Sequence, residues 1–125
     1  MTYKSQFEKN VAKEFKAHGI RFEYEPEVVR FLQPEKERKY TPDFKIRTKT
    51  GITCLVETKG RLTSEDRKKM VWVKEQHPKK KIILIFMNAA NTLTKRSKTT
   101  YADWARKNGF EYVDFRFGLP KEWKK

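Results

Sequence analysis

The stretch Lys81-Ile82-Ile83-Leu84-Ile85-Phe86 constrains the fold more than any other. It is an apolar run of strand length without polar alternation, so the strand it predicts is buried on both faces. A strand and then a helical stretch come before it. A buried strand after such a pair implies a parallel crossover. The chain therefore reads as α/β, a sheet with helices on its faces.

The helices carry their own start and stop signals. Ser5-Gln6-Phe7-Glu8 has a hydroxyl at the N-cap and an acid three residues on, the capping-box pattern. Phe7, Val11 and Phe15 then recur at helical spacing, and His18-Gly19 ends the run. Thr63-Ser64-Glu65-Asp66 opens a second helix running to about Gln76, with Met70 and Val73 inward and Pro78 beyond. Thr100 caps a third, reaching Asn108, with Tyr101, Trp104 and Ala105 inward. Strands are expected at 20–24, 28–32, 40–46, 52–58 and 110–113. The charged stretch 35–39 reads as a connection, and the 28–32 strand lacks obvious cover. A hairpin within the chain or a partner subunit could supply it. The segment 88–100 reads as a loop unable to form core. Trp123 is expected against the body.

Within this frame, Thr41-Pro42-Asp43-Phe44 reads as a turn entering a strand, because proline fixes φ and offers no amide hydrogen. Lys49-Thr50-Gly51 is a turn signal, and Val56-Glu57-Thr58-Lys59-Gly60 ends the next strand. Asp43 and Glu57 then lie side by side on antiparallel strands. Glu57 and Lys59 share a face, since strand side chains alternate. Two adjacent carboxylates suit a hard divalent cation such as Mg²⁺. A lysine beside them can orient or deprotonate a water, or steady a developing anion. The plain alternative is a turn residue and a solvated ion pair. Glu8 has a sufficient local task in its capping box.

Charge points to the partner. Thirty Lys and Arg stand against 16 Asp and Glu, a formal net charge of +14. Such self-repulsion calls for a polyanion, with nucleic acid the leading candidate. Arg67, Lys68 and Lys69 follow the acidic strand, and Lys95, Arg96 and Lys98 lie in the 88–100 loop. All six are candidate phosphate contacts, or simply solvated surface. One cysteine, Cys54, excludes a disulfide framework or thiolate cage. His18 and His77 are too isolated for a zinc site. No basic amphipathic helix, signal peptide or long apolar run points to a membrane, so a cytoplasmic protein is expected.

These stretches, with Gly19-Ile20-Arg21-Phe22-Glu23-Tyr24-Glu25, Asp66-Arg67-Lys68-Lys69, Glu75-Gln76-His77-Pro78 and Pro120 through Trp123, resemble the bacteriophage endonuclease I enzymes. Those are the Holliday-junction resolvases of the T-odd phages, within the PD-(D/E)xK nuclease superfamily. The resemblance runs in order along nearly the whole chain. It implies one nuclease domain over 1–125, with a restriction-endonuclease-like mixed β-sheet flanked by helices. It further implies an intertwined homodimer joined by a β bridge at 26–39. The implied reaction is phosphodiester hydrolysis in branched DNA, four-way junctions above all, leaving 5′-phosphate and 3′-hydroxyl ends. Asp43, Glu57 and the Thr58 carbonyl would bind Mg²⁺ (or Mn²⁺), Glu8 would complete a second metal position, and Lys59 would act beside the attacking water. No small-molecule cofactor is implied. The stretch before Glu8 is short and the chain stops soon after Trp123, so long basic terminal arms are not expected.

Overall fold

Ser5 opens the first helix, α1 (Gln6–Ala17), and its hydroxyl accepts the Glu8 amide at 3.1 Å. The helix ends where Gly19 takes φ 65°, letting the Ile20 amide reach back to the Phe15 carbonyl. That closure needs the left-handed conformation that glycine adopts without strain. Gly109, at φ 76°, does the same for the third helix. The computed structural model describes residues 2–33 and 36–124. After α1 come β1 (Arg21–Tyr24), β2 (Val29–Gln33), β3 (Lys36–Tyr40), β4 (Phe44–Arg47) and β5 (Thr53–Lys59). Then follow α2 (Ser64–Gln76), β6 (Ile82–Phe86), α3 (Tyr101–Lys107) and β7 (Glu111–Asp114). Both later helices begin in complete capping boxes, Thr63 with Asp66 and Thr100 with Asp103.

Five strands form one mixed sheet in the order β1-β4-β5-β6-β7. The pairs β1–β4 and β4–β5 are antiparallel, while β5–β6 and β6–β7 are parallel. The expected crossover from β5 through α2 to β6 is therefore present, and a second passes through α3 to β7. All five residues of β6 are buried, as a strand covered on both sides must be. One face packs Phe44, Ile46, Val56, Ile83 and Ile85 against Phe7, Val11 and Phe15 of α1, with Trp123 alongside. The other packs Leu55, Leu84 and Phe86 against Met70 and Val73 of α2, Trp104 of α3, and Phe31 and Tyr40.

Three expectations change. The charged stretch before the Pro-Asp turn is strand β3, paired with β2 as a hairpin within the chain. Residues 34 and 35, inside the proposed 26–39 bridge, lie outside the described residues. Tyr40 ends β3 and does not begin β4. Buried Pro42 has no amide to continue a ladder, so the chain changes sheets there. Finally, the 88–100 loop does contribute to the core. Ala89 is buried, Leu93 packs against the same cluster, and Thr92 bridges to Thr100. The hairpin is tied to α2 by Gln76, whose amide accepts from the Leu32 N–H and donates to the Leu32 carbonyl at 2.7 Å.

Candidate active site

The site forms where β4 begins and β5 ends. The register pairs Phe44 with Val56, and one step further sets Asp43 opposite Glu57. Because β5 and β6 are parallel, their carboxyl ends lie together, so the 88–100 loop emerges at the same end. Crevices at the carboxyl ends of parallel strands are the usual ligand sites of such sheets.

Every charged group here is held by a specific partner. Asp43 Oδ2 accepts from the Thr58 amide at 2.9 Å and the Thr58 hydroxyl at 2.8 Å. Glu57 Oε1 accepts from the Tyr40 hydroxyl at 2.8 Å, and Glu57 Oε2 faces Lys59 Nζ at 3.3 Å. Lys59 Nζ also lies 3.1 Å from Asp66 Oδ1, in the first turn of α2. Tyr40 is fully buried and Glu57 is only 6% exposed. Burial, and next the charge of Asp43, push the Glu57 carboxyl up to about 7. Burial also raises Asp43; the two Thr58 hydrogen bonds oppose this, and the Glu8 charge adds to it. Burial works against the charged form of Lys59, but Glu57 and Asp66 outweigh it and raise its pKa. Burial alone would raise Asp66, yet the Thr63 amide and Lys59 hold it below the usual range.

Glu8 arrives from the opposite face of the sheet, on α1. Its capping box is only half formed. Ser5 accepts the Glu8 amide, but the Glu8 carboxylate turns to the Tyr24 hydroxyl, 2.6 Å from Oε1. A helix-capping acid is normally solvated; this one is 8% exposed and close enough to Asp43 to raise its pKa. Among the described residues, no group of three or more His, Cys, Asp or Glu side chains stands close enough to hold a metal ion. The protein donors that could serve one cation here are two carboxylates, Asp43 and Glu57, and the Thr58 carbonyl. The Leu55 amide and the Lys59 carbonyl bond to β6, so alternation turns the Thr58 peptide toward the β4 side, with Asp43. This oxygen set fits Mg²⁺, which keeps several waters and takes one or two carboxylates rather than a full protein cage. Burial lifts Glu57 most, and the Asp43–Glu57 repulsion that adds to it is what a dication would relieve.

The basic candidates divide. Lys68, Lys95, Arg96 and Lys98 are exposed. Arg67 donates to the Leu62 carbonyl at 3.0 Å, anchoring the approach to α2. Lys69 Nζ sits 5.2 Å from the centre of the Tyr40 ring, a cation–π contact behind Glu57. Tyr40, Tyr24 and Asp66 were not singled out as site residues from the sequence. Asp66 was read there as a helix-opening acid, and Tyr24 and Tyr40 only as members of strands.

Sheet and site together describe a mixed α/β protein with an acid pair and a half-buried lysine at converging strand ends, under a strongly basic surface. The family described as Phage endonuclease I matches residues 1–125, and the chain belongs to it. It is 38% identical to Endodeoxyribonuclease 1 of Enterobacteria phage T3 over 112 residues, covering 90% of this chain and 71% of that one. It is also 38% identical to Endonuclease I of Escherichia phage T7 over 123 residues, covering 98% of this chain and 78% of that one. Among the described residues no helix is long and apolar enough to cross a membrane.

Proposed function

We propose that this protein is a metal-dependent DNA endonuclease that resolves four-way junctions, with a PD-(D/E)xK active site in a single domain over 1–125. The observation that carries the reading is the convergence of Asp43, Glu57 and Lys59 at one sheet end, in a chain of the phage endonuclease I family. Asp43, Glu57 and the Thr58 carbonyl would hold one divalent cation, and Glu8 would serve a second position. Bound there, such a cation supplies a Lewis acid and lowers the pKa of a coordinated water.

The chain's own residues do the rest. Thr58 fixes the Asp43 carboxylate by two hydrogen bonds, leaving Oδ1 without a partner among the described residues. Tyr40 fixes Glu57, and Tyr24 fixes Glu8. Lys59 lies between two carboxylates, Glu57 and Asp66, which raise its pKa and favour its charged form in the metal-free protein. Its ammonium neutralises charge growing on the phosphate oxygens, and it can donate a proton to the leaving oxygen. Two cuts near one branch point require two such sites, so a symmetric homodimer is the economical assembly. A β bridge at 26–39 would join its halves.

The decisive assay incubates the protein with a synthetic four-way junction or its matching linear duplex, in Mg²⁺ and separately in Ca²⁺. Paired nicks near the branch, with 5′-phosphate ends and only in Mg²⁺, are expected. Equal cutting of the plain duplex would make it a general duplex endonuclease. Binding without product would make it a DNA-binding protein without catalysis.

Two further results are expected. Tyr40→Phe removes the hydroxyl that orients Glu57 and should weaken Ca²⁺ binding about tenfold, as loss of such supporting bonds does. Calorimetric titration reads this, and unchanged affinity would remove Tyr40 from the site. Lys95→Ala with Arg96→Ala should weaken junction binding and lower its salt slope by about 2, the share of two phosphate contacts. An unchanged slope would leave these two as solvated surface.

A further inference from the structure

The sheet face that carries Glu57 is only half covered. Residues directly opposite in an antiparallel pair point the same way. The register aligns Glu23, Lys45 and Leu55, and also Arg21, Arg47 and Thr53. Leu55 and Glu57 share a face by alternation, so Lys45, Arg47 and Arg21 lie on the Glu57 face. Over β5 and β6 that face is covered by α2 and the hairpin. Over β1 and β4 it opens into a cavity of about 540 Å³ whose lining includes Arg21, Glu23, Lys45, Arg47 and Thr53, beside the apolar Ile20, Phe22 and Ile46.

Three cations face one carboxylate here. Arg21 and Arg47 are paired across the strands, both exposed, and like charges directly opposite each other destabilise a sheet. No hydrogen bond or ion pair within the described residues relieves Arg21, Lys45 or Arg47. The row from 43 to 45 to 47 advances about 6.7 Å per step, away from the acid pair. A sheet that keeps an unrelieved arginine pair, continuous with a site for phosphodiester chemistry, is complementary to a polyanion.

We propose that this open half-face is a track for the phosphate backbone of the DNA strand that leads to the Asp43–Glu57 site. The inference rests on the nuclease reading and adds where the substrate runs. Phosphates along the track would neutralise Arg21, Lys45 and Arg47 without reading sequence.

The test is the double variant Arg21→Gln/Arg47→Gln, with Arg21→Lys/Arg47→Lys as its charge-conserving counterpart. Binding to a four-way junction is measured by fluorescence anisotropy in EDTA at several salt concentrations. The glutamine pair should bind about tenfold more weakly at 0.1 M salt and lose about 2 from the salt slope. Its melting temperature should stay level or rise by about 1–4 °C, because the like-charge pair is gone. In Mg²⁺ its KM should rise while kcat holds. The lysine pair should keep most of the slope. Wild-type affinity and slope in the glutamine pair would overturn the track and leave the nuclease reading standing. Weaker binding with a lowered melting temperature, or a lysine pair as weak as the glutamine pair, would overturn it in favour of a structural role. A changed association state in sedimentation with unchanged DNA binding would make the face a contact between copies. Wild-type protein that neither binds nor cuts DNA would overturn both readings.

Discussion

Glu57→Gln should abolish cleavage, keep junction binding, and make the metal-free protein more stable. Glutamine keeps an acceptor for the Tyr40 hydroxyl and nearly the same volume, so the packing around residue 57 survives. What disappears is the negative charge. A cation that polarises phosphate contributes several kcal/mol to the transition state, so removing one of the two carboxylates proposed to hold it should cost about a thousandfold or more in kcat. The proposed junction binding would depend on basic groups elsewhere and should change little. The folded state gains, because a buried carboxylate facing Asp43 is replaced by a neutral group. A rise in pKa from 4.5 to about 7 corresponds to a burden of roughly 3 kcal/mol above neutral pH. That shift already contains the Lys59 and Tyr40 contacts; glutamine must still bury an amide of its own, so a gain of about 1–2 kcal/mol, or about 4–8 °C, is the expected reading. Cleavage rates, anisotropy and a thermal melt in EDTA together check it. Loss of binding alongside cleavage, or a fall in melting temperature, would mean Glu57 is a structural residue. Asp43→Asn and Lys59→Ala should also stop cutting while sparing binding.

How far this site could be read from the sequence depends on how far apart in the chain the partners lie. The Asp43–Glu57 adjacency was legible because one turn signal, Lys49-Thr50-Gly51, fixes a hairpin register. The crossover into β6 was legible because an all-apolar strand leaves few alternatives. Lys59 beside Glu57 followed from alternation. The bonds that set the acids' properties were not legible. Tyr24 reaches Glu8 across 16 positions and Tyr40 reaches Glu57 across 17, and no local pattern announces either. Strand β3 escaped because Arg38 and Lys39 look like solvent residues. They are exposed, and the segment is a strand only through its pairing with β2. The 88–100 segment was underrated because Ala89 and Leu93 are too few to signal core until the fold brings them to Phe86 and Tyr101.

Metal-free protein should lose stability as pH rises from about 5 to 8, and a divalent cation should restore it. Glu57 has a folded-state pKa of about 7 against 4.5 for the free side chain, and Asp43 is raised too. A raised carboxyl holds its proton longer in the folded state than in the unfolded one. Its folded form is therefore favoured least once both states are ionised, and stability falls between pH 4.5 and 7. Groups shifted the other way do not obscure this window. Asp66, Asp103 and Asp114 are lowered below 3.8, so their contribution is lost only under stronger acid. Lys59 is raised above 10.5, so its contribution persists until the solution is far more alkaline. The expected drop from pH 5 to pH 8 is about 2–3 kcal/mol in EDTA. Ca²⁺ at a hundred times its dissociation constant should return about 2.7 kcal/mol at pH 8. It should return less at pH 5, where it competes with protons for the same oxygens. Glu57→Gln should flatten both dependences. A melting temperature indifferent to pH across this window, or raised equally by Ca²⁺ in wild type and Glu57→Gln, would separate the acid pair from cation binding and leave it a buried structural cluster.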